Sequence, residues 1–384
     1  MSKRQFGSVR RLPSGGWQAR YWDQATDKMV SLGVFPTKAK ASAQLDAART
    51  DMGRGGFVNP AAGRVTFTGY GATWLAERDL RPRTRDEYTG LLSRHLEPTF
   101  GDTDIGAITP SAVRSWHSAL NRDHPATAAK SYRLLRAILA TAVDDELIVR
   151  NPCKVAGGGV DRSAERPVAS VAEVSAATTA MPERLAIAVT LAAWCGLRRQ
   201  EVLGLRRRDV DLVADVLRIE QTANQLSDGT IVFGPPKTDA GVRSVAIPPN
   251  VVSTLADHLD RFVGADSDAL VVTGVKGGPL RAHVLGAAWR SARLTVGRPD
   301  LHYHDLRHSS NVWSTAVGAS TKELMRRLGH ASPAAALRYQ HATDDRDRVI
   351  ADAMAKLQPL APVVPISSQS GTGVARRTQA DGTS

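Results

Sequence analysis

The stretch LHYHDLRHSS, residues 301–310, holds three histidines, an aspartate and an arginine within ten positions. Two chemistries compete for such a cluster. Imidazoles bind metals, so His302, His304 and His308 would form a metal nest. Imidazole and guanidinium also bind phosphate, so His304, Arg307 and His308 would instead surround a phosphodiester. The metal reading is the weaker. No glutamate stands between His304 and His308 where a zinc-protease helix would carry one, and Arg307 would repel a cation. No carboxylate cluster or cysteine pair elsewhere completes a site. Cys153 and Cys195 stand far apart, with neither zinc spacing nor a disulfide framework. The expectation is that no metal is held.

The phosphate reading requires partners at a distance. A phosphodiester under in-line attack gains negative charge on its non-bridging oxygens, and rigidly held fork donors answer that charge best. CGLRRQEVLGLRRRDVD, residues 195–211, supplies Arg198 just after Gly196, at an expected helix start with Glu201 one turn on. Helix starts are electropositive and point their amides outward. FGPPKTDAGVRSVAIP places Lys237 in an expected hairpin turn between two strand-like segments. RRLGHASPAAALRYQHA adds His330 and, nine residues later, Tyr339. Each is ordinary alone: arginine runs usually line a solvated face, turn lysines are usually exposed, and a tyrosine near a helix end usually packs.

These residues need elements to position them. The 384 residues suggest two or three domains. The net charge of +12 favours a polyanionic partner, most often nucleic acid. Residues 1–63 carry ten Lys/Arg against four Asp/Glu, half of that excess. Within 1–60, SVRRL, WQARYWDQ and MVSLGVF alternate as three strands. TKAKASAQLDAARTDM follows as a helix capped by Thr37. Residues 64–155 have helical spacing throughout. TPSAVRSWHSALN is capped by Thr109 with Pro110 in its first turn, and HPATAAKSYRLLRAILATAVDDELI forms a long helix stopped by RNPC. From 166 to 358 the pattern is mixed. Helices flank the short strands VLRIEQTA, GTIVFGP and RSVAIP, and DRDRVIADAMAKLQ closes the region with an apolar stripe of Val349, Ile350, Ala353, Met354 and Leu357. Residues 359–384 have the composition of a disordered tail. The fold class expected is α+β and multidomain: a small three-stranded sheet with a helix, an all-helical domain, and a mostly helical domain with a small antiparallel sheet. No apolar run approaches the ~18 residues of a membrane span, and the basic N-terminus lacks a signal peptide's apolar run. A cytoplasmic protein is expected.

In order along the chain, GLRRQEVLGL, PPKT, HDLRH, LGH and RYQH resemble the motifs of the tyrosine recombinases, the integrase family of phages and mobile elements. The resemblance covers the three-domain layout, with an arm-type DNA-binding domain, a SAM-like core-binding domain and a catalytic domain. It is most specific in 190–345. It implies that Arg198, Lys237, His304, Arg307, His330 and Tyr339 are catalytic, with Glu201, His308 and His341 in support. Tyr339 would be the nucleophile and Lys237 the general acid. The two arginines would clamp the phosphate, with no cofactor, ATP or metal. The resemblance implies site-specific recombination of double-stranded DNA by a homotetramer, to integrate or excise a phage or mobile element, near the nucleoid of a bacterial host. A DNA-bending host factor and a directionality factor are expected partners. Arg10, Arg11, Arg20, Lys28 and Lys38 are the expected arm contacts, mostly to phosphates. A type IB topoisomerase-like strand transferase and a non-catalytic DNA-binding protein of the same fold are the alternatives.

Overall fold

The computed structural model of the chain describes residues 6–23, 27–53, 57–59, 62–161, 166–330 and 332. Apolar side chains gather there in three separate clusters. The first lies under an antiparallel sheet of β1 (Gly7–Arg11), β2 (Trp17–Asp23) and β3 (Lys28–Phe35), in that order. Strand side chains alternate between faces. Ala19, Tyr21 and Leu32 therefore pack with Ala41 and Ala48 of α1 (Lys38–Gly53). The other face is polar, with Arg10 opposite Gln18 and Arg20 opposite Ser31.

The second cluster is all-helical: α2 (Phe67–Ala76), α3 (Pro82–Leu91), α4 (Glu97–Phe100), α5 (Pro110–Asp123) and α6 (Pro125–Asp144). The helical spacing of TRDEYTGLLSRHLEPTF, residues 84–100, is interrupted in the structure by a π turn, Leu92–Leu96. Pro98 has no N–H to donate, and the wider turn absorbs the break. Thr109 caps α5 as expected, accepting from the Ala112 amide at 3.2 Å. The long helix, by contrast, ends at Asp144, before RNPC. Glu146 is left-handed at φ 56°, and the Leu147 and Ile148 amides both donate back to Ala142 O. This reversal satisfies the end of the helix and brings Ile148 into the core.

The third cluster surrounds α8 (Glu183–Trp194), which follows α7 (Val171–Ala180) and leads into α9 (Arg199–Gly204). Two small sheets come next. One has the order β4 (Val210–Asp211), β5 (Val216–Ile219), β8 (Arg243–Ala246); the other pairs β6 (Thr222–Gln225) with β7 (Ile231–Gly234). Two expectations are corrected here. VLRIEQTA is not one strand: it breaks at Glu220 and Gln221 into β5 and β6, which belong to different sheets. Nor does Lys237 sit on a hairpin, because β7 pairs with β6 and β8 with β5, so its loop crosses between the sheets. The remaining helices are α10 (Pro249–Phe262), α11 (Ala282–Thr295), α12 (Tyr303–Ala316) and α13 (Thr321–Leu328). Tyr339, His341, the expected helix at 345–358 and the tail 359–384 lie outside the described residues.

Candidate active site

The histidine box forms the first turns of α12. His302 is its N-cap, and the buried Asp305 carboxylate accepts from the His302 amide at 2.6 Å. That bond satisfies one of the orphan amides of a helix start. It fixes the turn that leaves His304 exposed while Arg307 and His308 turn inward. His302 and His304 therefore border one cleft, whereas His308 is buried away from it. Among the described residues no group of three or more His, Cys, Asp or Glu could hold a metal ion.

Arg307 is 5 % exposed. Its guanidinium donates to Gly196 O at 2.5 Å and to Leu328 O. Both carbonyls lie just beyond or at the end of a helix, α8 and α13, where backbone acceptors lack intrahelical partners. Arg198 approaches from the start of α9. It donates to Glu201 at 2.7 Å through one terminal nitrogen and to Gly329 O at 2.9 Å through the other. Gly329 stands at φ 63° and Gly196 at φ 65°, where glycine carries no side-chain penalty. The α13 C-terminus and the α8–α9 turn thus hold arginines that are 109 positions apart in sequence.

Glu201 is the shared anchor, 1 % exposed. It accepts from the Arg198 amide at 2.8 Å and from Arg243 at 2.9 and 3.0 Å, and Arg307 lies 3.8 Å away. Burial opposes its charge. The Arg243 hydrogen bonds and charge, then the charges of Arg307 and Arg198, outweigh burial and take its pKa down to about 2. An ionised Glu201 balances one of three guanidiniums, so the cluster keeps a net positive charge suited to a phosphate.

His330 follows Gly329, and its amide donates to Met325 O at 3.0 Å. Burial, with the neighbouring charges of Arg307, Arg198 and Arg243, lowers its pKa to about 4. The protein packed around the base of the exposed His304 ring, and then the Arg307 charge, also lower its pKa. Both rings are thus biased towards the neutral form, able to donate or accept one hydrogen bond at each nitrogen. Lys237 is exposed on its crossover loop. The far end of that loop reaches the cluster, since a Cβ at Gly329 would lie 2.7 Å from Ala240 O. The cluster therefore gathers Arg198, Glu201, Arg307 and His330, and His304 lies at the box beside it.

Sequence reasoning missed Arg243. It shares the inward face of β8 with Val245, two residues on, so a charged residue in register with a buried valine was the available signal. The expected arm residues do not share one surface. Arg10 and Arg20 flank Gln18 on the polar face, where Arg10 donates to Gln18 at 2.8 Å and Gln18 to Ser31 at 3.0 Å. Arg11 instead pairs opposite Trp17, and Lys38 lies over that ring at 5.8 Å. Lys28 is exposed at the start of β3.

Family comparison agrees with this layout. Residues 168–346 match the phage integrase family, 5–54 the phage integrase N-terminal domain and 66–121 the phage integrase N-terminal SAM-like domain. A prophage phiRv2 integrase of Mycobacterium tuberculosis is 40 % identical over 92 % of this chain and 96 % of its own. The fold is also shared with the Tn1549 transposon integrase solved with circular intermediate DNA. That match has a TM-score of 0.65 and 19 % identity over 76 % of this chain and 99 % of the other. A lambda integrase, solved as a tetramer bound to a Holliday junction, matches with a TM-score of 0.54 and 18 % identity over 87 % and 97 %.

Proposed function

The chain belongs to the phage integrase family of tyrosine recombinases, site-specific DNA strand transferases, and on that premise we propose that it cuts and rejoins DNA through Tyr339. In this reading the Tyr339 oxygen forms a bond to the scissile phosphorus as the bond to the 5′ oxygen breaks. The leaving oxygen takes a proton from Lys237. The 3′-phosphotyrosyl bond is then attacked by the 5′ hydroxyl of the partner strand, which releases Tyr339. Bond energy is conserved, so the reaction consumes no ATP.

The observation that carries the proposal is the convergence of Arg198, Arg243 and Arg307 on the buried Glu201. It supports Arg198 and Arg307 as preorganised donors to the non-bridging oxygens. One such donor is worth about 3 to 4 kcal/mol in the transition state. His304 acts as base and phosphate contact, and His330 donates a hydrogen bond. Glu201 orients the arginines, and His308 and His341 support the site. The first unit binds arm-type DNA through the polar face of its sheet, with Arg10 and Arg20 beside Gln18. The helical unit and the third unit take the core site. The lambda integrase tetramer supports a homotetramer as the working assembly. A host bending protein and a directionality factor complete it.

Recombination between the element's own attachment sites tests this reading. Arg307→Lys should lower the single-turnover cleavage rate by ~100- to 1000-fold, because an ammonium lacks the planar fork. A chelator should leave the unaltered chain at full rate. Loss of activity in chelator, or full activity of Arg307→Lys, contradicts the proposal.

A further inference from the structure

Asp305 is fully buried, and a carboxylate there is stable only with partners. Besides the His302 amide its permanently charged partner is Arg166, whose Nε lies 3.1 Å from Oδ1, and the His302 ring stands 3.6 Å from Oδ2. A terminal nitrogen of Arg166 also lies 3.3 Å from His302 Nδ1. Arg166 belongs to no helix or strand. It lies on the connector between the helical unit and α7, so the chain that joins the two units reaches the first turn of α12 through this side chain, while the Ala169 amide donates to Ser309 further along that helix. The Arg166 side chain is 45 % exposed. It borders a cleft of about 510 Å³ that also takes in His304, Arg199, Arg290 and Arg293.

We infer that Arg166 is a positioning residue for the reaction: through Asp305 it fixes the first turn of α12 and so the direction in which His304 is presented to the phosphate. The inference rests on the role given above to His304. It does not make Arg166 a phosphate clamp: its ion pair is with Asp305, outside the Glu201 cluster that holds Arg198 and Arg307. Without Arg166 the Asp305 charge keeps only the His302 amide and ring, and the turn that aims His304 loses its guanidinium anchor.

The test uses the full-length chain with a suicide substrate built from its own attachment site, and reads covalent-complex formation in a single turnover beside the DNA Kd. Arg166→Gln should lower the rate constant by roughly 10- to 100-fold, the scale of a small misplacement of a reacting group, with Kd unchanged. Arg166→Lys, which keeps the ion pair with Asp305, should recover part of the loss. Arg166→Gln combined with Asp305→Asn should be no slower than the slower single variant, as for residues acting through one another. A weakened Kd with an unchanged rate at saturating DNA overturns the inference and makes Arg166 a direct DNA contact. Losses that multiply in the double variant overturn it as well. If Asp305→Asn does not fold, the rate and affinity of Arg166→Gln and Arg166→Lys decide alone. His304→Gln separates the two levels. Parent-rate cleavage by that variant overturns the inference, whereas failure of the unaltered chain to form any covalent complex contradicts the functional reading itself.

Discussion

At the scale of single residues, Glu201 explains most of the site. Its carboxylate is the only acidic partner within ion-pair reach of three guanidiniums, among the described residues. Glu201→Gln leaves their charges facing one another, Arg243 and Arg307 with almost no solvent. We expect it to lower unfolding free energy by ~3 to 5 kcal/mol, the usual cost of breaking a buried pair, as read by urea denaturation. Acid should act in the same direction. The Glu201 pKa falls from 4.5 to about 2 on folding, so its contribution is complete above pH 4.5 and is lost as pH falls towards 2. His330 is lowered from 6.5 to about 4. The unfolded chain therefore takes up that proton first, and stability also declines from pH 6.5 towards 4. Urea midpoints should drop in two stages, and His330→Asn should flatten the upper one. Arg198 and Glu201 were legible in the sequence because their pairing is local, three residues apart within one helix start. Arg243 was not, because its partner lies 42 residues away across a sheet and a helix.

At the scale of elements, the site depends on how helices end. Arg307 and Arg198 are both held by carbonyls at the α13 C-terminus, and the left-handed Gly329 exposes those carbonyls. Gly329→Ala would put a methyl 2.7 Å from Ala240 O in a conformation that already costs a non-glycine residue roughly 1 to 2 kcal/mol. We expect a lower thermal midpoint and slower DNA cleavage, since His330 and both arginines lose their shared frame. Helix starts were readable from Thr37 and Thr109, whose caps are local chemistry. Strand partnership was not. VLRIEQTA carries no glycine or proline to mark a break, yet the chain leaves one sheet for another at Glu220. There Gly204 of α9 comes so close to the Thr222–Ala223 backbone that a Cβ would lie 2.9 Å away. The same limit misplaced Lys237: local pattern shows two strands and a turn, but which strands pair is a long-range choice. The early end of α6 has the same origin, since burying Ile148 turned the chain before its proline signal.

At the scale of the whole molecule, the helical and third units are joined by the connector carrying Arg166, by Arg81 donating to Pro236 O at 3.3 Å and by a contact between α3 and the β6–β7 hairpin. There Asp86 accepts from the Ser227 amide at 3.2 Å and from its hydroxyl, and Arg83 donates to Gln225 O at 3.1 Å. Asp86→Ala removes both Ser227 bonds. Small-angle scattering should then give a larger radius of gyration, with unchanged far-ultraviolet circular dichroism; an unchanged radius would show that the Asp86–Ser227 contact does not set the arrangement. All three units serve the one reaction proposed for Tyr339, so its most direct test uses the full chain. The protein is trapped on a suicide substrate made from its own attachment site, the complex is digested, and the DNA-linked peptide is identified by mass spectrometry. The expected result is a 3′-phosphotyrosyl link on Tyr339 that forms in the presence of chelator and is absent from Tyr339→Phe. A link on any other residue, or a covalent complex that persists in Tyr339→Phe, would contradict it.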